Sequence, residues 1–217
     1  METRNAARAA IAIAAALLAG AFPSACRARV PLDVVVTFVN SWRLAGAALS
    51  ADDQAIVKRT TLDTLRSAFE EFDVRFDEAR NDSVPAAARI IRVEDTPYSR
   101  PALTFGAAGV TYPATRVSSV RFDVLVNAEL AAAACPSLAR CTKTRSELLE
   151  GLGRGIGSTA AHELGHQGGL EFARDSACDD CYDGTSSASY AHFFGRKHWS
   201  DRALRIMRRT LPPDALH

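Results

Sequence analysis

Lysine is scarce in this chain: three of the 26 basic side chains are Lys, the rest are Arg, and 25 acidic residues bring the formal charge to +1. So even a balance excludes the concentrated basic face that nucleic-acid binding needs, and no polyanionic tail is present. Long apolar runs are also missing after the N-terminal segment, so the body of the protein offers no stretch of about 20 residues to span a bilayer. A hydrophobic share of 47% with 24% charged residues excludes a disordered chain. What remains is 217 residues, the size of one compact domain that buries enough surface for a core without staples.

The N-terminus reads as an address. Arg4 and Arg8 precede the apolar run Ala9–Ala21, and Phe22-Pro23-Ser24-Ala25 closes it with small residues. This is the pattern of a secretory signal peptide over residues 1–25. At a helical rise of 1.5 Å per residue the run covers about 20 Å, short of a ~30 Å hydrocarbon core. The protein is therefore expected to be exported, secreted or periplasmic, with no transmembrane span in the mature chain. Cys26 stands where a bacterial lipoprotein carries its lipidated cysteine, although Pro23 occupies the position that prefers Leu. A lipid there would anchor the chain to a membrane without crossing it. Four further cysteines, Cys135, Cys141, Cys178 and Cys181, form an even set that suits disulfides in an exported protein. Local pairs Cys135–Cys141 and Cys178–Cys181 are the simplest of three connectivities, with a four-thiolate zinc site as the rival.

Periodicity supplies the elements. Leu32–Val39 is β-branched and reads as a buried strand. Ser50 and Asp53 open a helix over about 51–72, with Leu62, Leu65, Phe69 and Phe72 on its core face. Strands are expected at Val74–Phe76, at Ala88–Val93, over the Gly/Ala-rich stretch to Tyr112, and at Val120–Val126, where apolar residues alternate. From Ser146 the pattern turns helical. Gly151, Gly153, Gly155 and Gly157 each weaken that helix by up to ~1 kcal/mol relative to Ala. Either it starts late, near Gly155, or a close neighbour needs the missing side chains. Gly168-Gly169 ends it. Residues 171–198 read as a long polar loop, and Ser200 caps a last short helix. The order of elements argues for a helix-backed mixed sheet.

The chemistry lies in His162-Glu163-Leu164-Gly165-His166. Two His four apart on a helix stand one above the other on one face, so both imidazoles reach one ion. Zinc takes three protein ligands in a catalytic site and keeps a position for water. It lowers the pKa of that water towards ~7 and polarises a substrate carbonyl. Glu163, next to the first ligand, is placed to take the water's proton as general base.

Residues 157–170, Gly-Ser-Thr-Ala-Ala-His-Glu-Leu-Gly-His-Gln-Gly-Gly-Leu, resemble the active-site helix of metzincin zinc peptidases. Gly169 falls on the glycine of the extended pattern, and Phe172 falls where the third ligand belongs; Phe cannot bind zinc. His198 is the expected replacement, with residues 170–197 as an insertion pinned by Cys178–Cys181. His192 is the alternative, followed by Asp175, Asp183 or Glu171. The resemblance further implies Met207 as a Met-turn, with a core position on a helical face as its plainer reading. It implies an antiparallel edge strand at about Thr104–Tyr112, with Thr104, Gly106, Ala108 and Val110 contacting substrate backbone. The implied fold is α+β and zincin-like: a mixed twisted sheet backed by helices, an active-site helix and an irregular C-terminal subdomain. One domain would cover 26–217, its upper part about 30–169 and its C-terminal part about 170–217. The implied activity is an exported endopeptidase with one catalytic zinc ion and a peptide or protein substrate. A catalytically inactive binding or structural protein of the same shape is the alternative.

Overall fold

A computed structural model describes residues 30–38, 42–79, 84–95, 107–112, 115–135, 140–171, 175–185 and 188–212. Residues 1–25, where a signal peptide is expected, and Cys26, Thr104, Gly106 and Phe172 lie outside the described residues. In chain order the elements are β1 (Leu32–Phe38), β2 (Arg43–Leu44), β3 (Ala47–Ala48), α1 (Ala51–Ala68), β4 (Val74–Glu78), β5 (Arg89–Glu94), β6 (Gly109–Tyr112), β7 (Val117–Arg121), α2 (Phe122–Ala132), α3 (Arg145–Gln167), α4 (Tyr190–Phe194) and α5 (Asp201–Thr210).

The main sheet has the order β4-β1-β5-β7-β6. Its first four strands run parallel, and β6 lies antiparallel at the edge. Parallel neighbours need crossover connections, and α1 supplies the one between β1 and β4. Valines 34, 35 and 36 are buried at the centre, as a parallel strand covered on both faces requires. The protein is thus α+β with a mostly parallel five-stranded sheet. Among the described residues, no helix is long and apolar enough to cross a membrane.

The two long helices start on matching signals. Ser50 and Asp53 form a reciprocal capping box on α1, and Thr144 and Glu147 do the same on α3. Arg145 grips Asp53 with two nitrogens, at 3.2 and 2.7 Å, and joins the two starts. That guanidinium holds the Asp53 carboxyl down at about 2.

The glycines of α3 are explained by close neighbours, and the helix starts early. A Cβ on Gly153 would sit 2.7 Å from Thr60 Cβ, and one on Gly157 would sit 2.6 Å from Thr64 Cβ and 2.9 Å from the Thr61 carbonyl of α1. On the adjoining face Gly151 and Gly155 admit the rings of Phe194 and Phe193 from α4. Gly157→Ala should therefore destabilise the fold by about 1–3 kcal/mol through overpacking, although Ala is the better helix former by ~1 kcal/mol. Urea denaturation measures the sign.

Three expectations change. Helix α1 ends at Ala68, with Phe69 as its cap, short of the expected 72. Phe122–Val126 is the start of α2, not a strand. Phe122, Leu125, Val126 and Glu129 form its buried face at helical spacing, and the apolar alternation fitted both periods over so short a span. The loop over 171–198 also contains α4.

Glu129 is fully buried on α2, against Gly151 and Phe194. Burial pushes its carboxyl up to about 8, opposed by the Leu152 backbone and the Arg154 charge. The folded protein holds this proton, whereas the unfolded chain releases it near 4.5. The contribution to stability is therefore complete below about 4.5 and is lost as pH rises to about 8, at up to ~1.4 kcal/mol per pH unit. Glu129→Gln should flatten this part of the pH–stability curve, as denaturation at pH 5, 6.5 and 8 would record.

Candidate metal centre

Helix α3 ends where the site begins. Gly168 caps it and Gly169 takes φ 103°, a left-handed turn that glycine accepts without strain. The turn sends the chain back over the helix, and Leu170 N–H donates to the Gly165 carbonyl at 3.0 Å. The Leu170 carbonyl then meets His166 Nδ1 at 3.0 Å. His162 Nδ1 is matched by the Tyr182 carbonyl at 2.9 Å. A carbonyl only accepts, so each Nδ1 carries a proton, and a ring in its neutral form has its lone pair on Nε2.

Those two Nε2 atoms lie 2.9 Å apart. Asp175 completes the cluster, its carboxylate oxygens 3.6 Å from His162 Nε2 and 3.9 Å from His166 Nε2. The three ligand atoms fall within 4.8 Å of one another. Two lone pairs converging beside a carboxylate repel unless a cation or proton sits among them. The donor set, two imidazole nitrogens and one carboxylate oxygen, fits a divalent ion such as zinc. The backbone carbonyls that orient both rings are the outer support that metal-binding histidines ordinarily have. Burial lowers the proton affinity of His166, with the His162 charge acting in the same direction, and a neutral ring is the form that binds a metal.

Glu163 is buried beside the pair. Its Oε2 receives the Thr111 hydroxyl at 2.6 Å. Gln167 donates to Ser118 Oγ at 2.7 Å, and Ser118 and Thr111 share a 2.8 Å hydroxyl contact, so a chain of polar groups ends on Glu163. Gly109 makes room, since a Cβ there would lie 2.5 Å from Glu163 Oε1. Burial raises the Glu163 carboxyl, and the Thr111 hydrogen bond and His162 pull it back.

The edge strand β6 passes directly over this carboxyl. Arg121 N–H donates to the Ala108 carbonyl, and Val110 pairs with Ser119. The antiparallel alternation leaves the backbone polar groups of Gly109 and Thr111, not those of Ala108 and Val110, facing outward. No strand pairs with that side among the described residues.

The other expected ligands go elsewhere. His192 is buried, its Nε2 within 3.0 Å of the Gly155 carbonyl and of Thr159 Oγ1, and its Nδ1 faces Lys197 at 3.4 Å. Burial keeps its ring neutral, with a pKa down at about 3. The His198 side chain meets Cys181 at 3.6 Å and does not join the group that holds His162, His166 and Asp175; its backbone carbonyl receives Tyr182 N–H at 2.7 Å. His198 thus supports the site through Tyr182, whose own carbonyl orients His162. Asp183 holds Ser200 through its N–H and its hydroxyl. Glu171 is not in the cluster. Met207 lies inside helix α5, fully buried, and not in a turn. The cysteines pair as expected, Cys135 with Cys141 and Cys178 with Cys181.

Thr111 and the carbonyls of Leu170 and Tyr182 escaped the sequence reading. A backbone acceptor has no residue signature, and a threonine in a strand is ordinary. The chain matches no protein-family model, no curated protein and no solved structure.

Proposed function

We propose that this protein is an exported zinc-dependent peptidase of metzincin-like design, with His162, His166 and Asp175 holding the ion and Glu163 as general base. The observation that carries the reading is the convergence of two Nε2 lone pairs and one carboxylate, each ring fixed from behind by a carbonyl. Zinc, when bound, supplies Lewis-acid polarisation of the scissile carbonyl and of an attacking water. Glu163 accepts the water's proton on Oε1 and returns it to the leaving amine. Thr111 fixes Oε2, so the carboxyl does not rotate away.

The outward backbone groups of Gly109 and Thr111 suit an extended peptide added to the sheet as a further strand. A substrate strand paired there would run beside Glu163, because Gly109 and Thr111 both touch that side chain. The two disulfides support export, since such bonds persist in oxidising compartments.

The test is metal removal. A chelator should abolish cleavage of a denatured protein substrate, and one equivalent of zinc should restore it. Cleavage that survives complete zinc removal would overturn the reading, and a protein that binds zinc yet cleaves no peptide would favour the binding-protein alternative.

A further inference from the structure

A second group of potential ligands sits in the loop that supports the first. Cys178, Asp180, Cys181 and His198 bring two sulfurs, a carboxylate oxygen and an imidazole nitrogen within 4.8 Å of one another. Asp180 Oδ1 lies 2.9 Å from Cys178 Sγ, and His198 Nε2 lies 3.6 Å from Cys181 Sγ. With zinc–sulfur and zinc–nitrogen bonds of ~2.3 and ~2.0–2.1 Å, sulfur and nitrogen on one tetrahedral ion stand about 3.6 Å apart. The imidazole is therefore already at coordination distance from its neighbour.

The frame around the group is backbone and does not depend on the sulfur–sulfur bond. Cys181 and His198 form an isolated parallel bridge, His198 N–H donates to the Asp180 carbonyl at 3.1 Å, and Tyr182 N–H donates to the His198 carbonyl at 2.7 Å. Trp199 anchors the neighbouring residue, its indole N–H reaching the Ala68 carbonyl at 2.6 Å. Opening the disulfide leaves Asp180, Cys181 and His198 on these backbone bonds, with Cys178 tied to them by the bond its carbonyl accepts from Cys181 N–H at 3.4 Å.

We propose that Cys178, Asp180, Cys181 and His198 form a second, redox-gated zinc site, closed as a disulfide under oxidising conditions and metal-binding when reduced. A dithiol donor gives two electrons and two protons to the Cys178–Cys181 bond and closes to its own disulfide. The two thiol protons then pass to solvent as the thiolates take the ion. The site carries Tyr182, and through its carbonyl His162, so it holds the first centre in place in either redox state.

Cobalt(II) is the probe, added to the full chain before and after reduction by a phosphine, which becomes its oxide with oxygen from water. The oxidised protein should bind one equivalent without a sulfur-to-cobalt charge-transfer band. The reduced protein should bind two, and the band should appear. Cys178→Ser/Cys181→Ser should lose the band and the second equivalent although the thiols of Cys135 and Cys141, reduced alongside, are still present. His198→Ala should weaken the second equivalent by more than the ~10–100-fold that loss of an outer-shell partner costs. Asp180→Asn, which keeps both cysteines, should weaken it at least about tenfold. His162→Ala/His166→Ala should lose the first equivalent and keep the band, so failure of either centre is seen separately. A reduced protein without the band, or a band that survives loss of Cys178 and Cys181, overturns the proposal.

Discussion

On the proposed peptidase reading, Glu163→Gln is expected to take up one equivalent of zinc and to lose peptide hydrolysis by about 10²–10⁴-fold, the range a positioned general base contributes. The amide keeps the length and planarity of the carboxyl. It still accepts from Thr111, and it still fits the space that Gly109 leaves open. Helix α3, the two imidazoles and Asp175 are untouched by the change. What disappears is the ability to hold a proton between water attack and amine departure. Zinc content and single-turnover cleavage, measured on the same preparation, separate the two effects. Activity retained in this variant would remove Glu163 from the reaction. Zinc lost together with activity would mean that the carboxyl supports the metal site rather than the proton transfer.

The sequence displayed one half of this centre and concealed the other. His162, Glu163 and His166 are adjacent on one helix, so their relative geometry follows from 3.6 residues per turn. The capping signal at Ser50 is equally local, and its box forms; Thr144 and Glu147 make a second box of the same kind, which was not read from the sequence. The glycines of α3 posed a question that only tertiary structure answers: they leave room for Thr60, Thr64, Phe193 and Phe194, which come from distant parts of the chain. The proposed third ligand, Asp175, is hidden for a related reason. A pattern with fixed spacing puts Phe172 in its place, and beyond that point the approach to the helix depends on the path of a loop. That path is set by the Gly169 turn, by the Tyr182 carbonyl on His162 and by the His198 bridge to Cys181. None of these contacts has a periodicity to read. The Val120–Val126 stretch failed only from Phe122 onward, since Val120 and Arg121 do lie in β7; Leu125 adds an apolar residue that puts Phe122, Leu125 and Val126 on one helical face as well, and burial of Glu129 on α2 was not foreseeable from its type.

Asp175→Ala and His198→Ala should therefore part company in the oxidised protein. Asp175 offers both oxygens to the pair of Nε2 atoms, and no other carboxylate joins that group among the described residues. Its loss leaves two imidazoles, below the three protein ligands a catalytic zinc ordinarily has. Zinc affinity should fall by more than about 100-fold, beyond the cost of losing an outer-shell partner, and hydrolysis should fall with it. His198 acts on the first centre through its backbone carbonyl, which the substitution to Ala preserves. With the Cys178–Cys181 bond closed, His198→Ala should keep zinc at His162 and His166 within about tenfold of the parent, less than an outer-shell deletion usually costs. Equilibrium competition with a chromogenic chelator gives both affinities. The reverse ranking would mean that His198, and not Asp175, completes the centre.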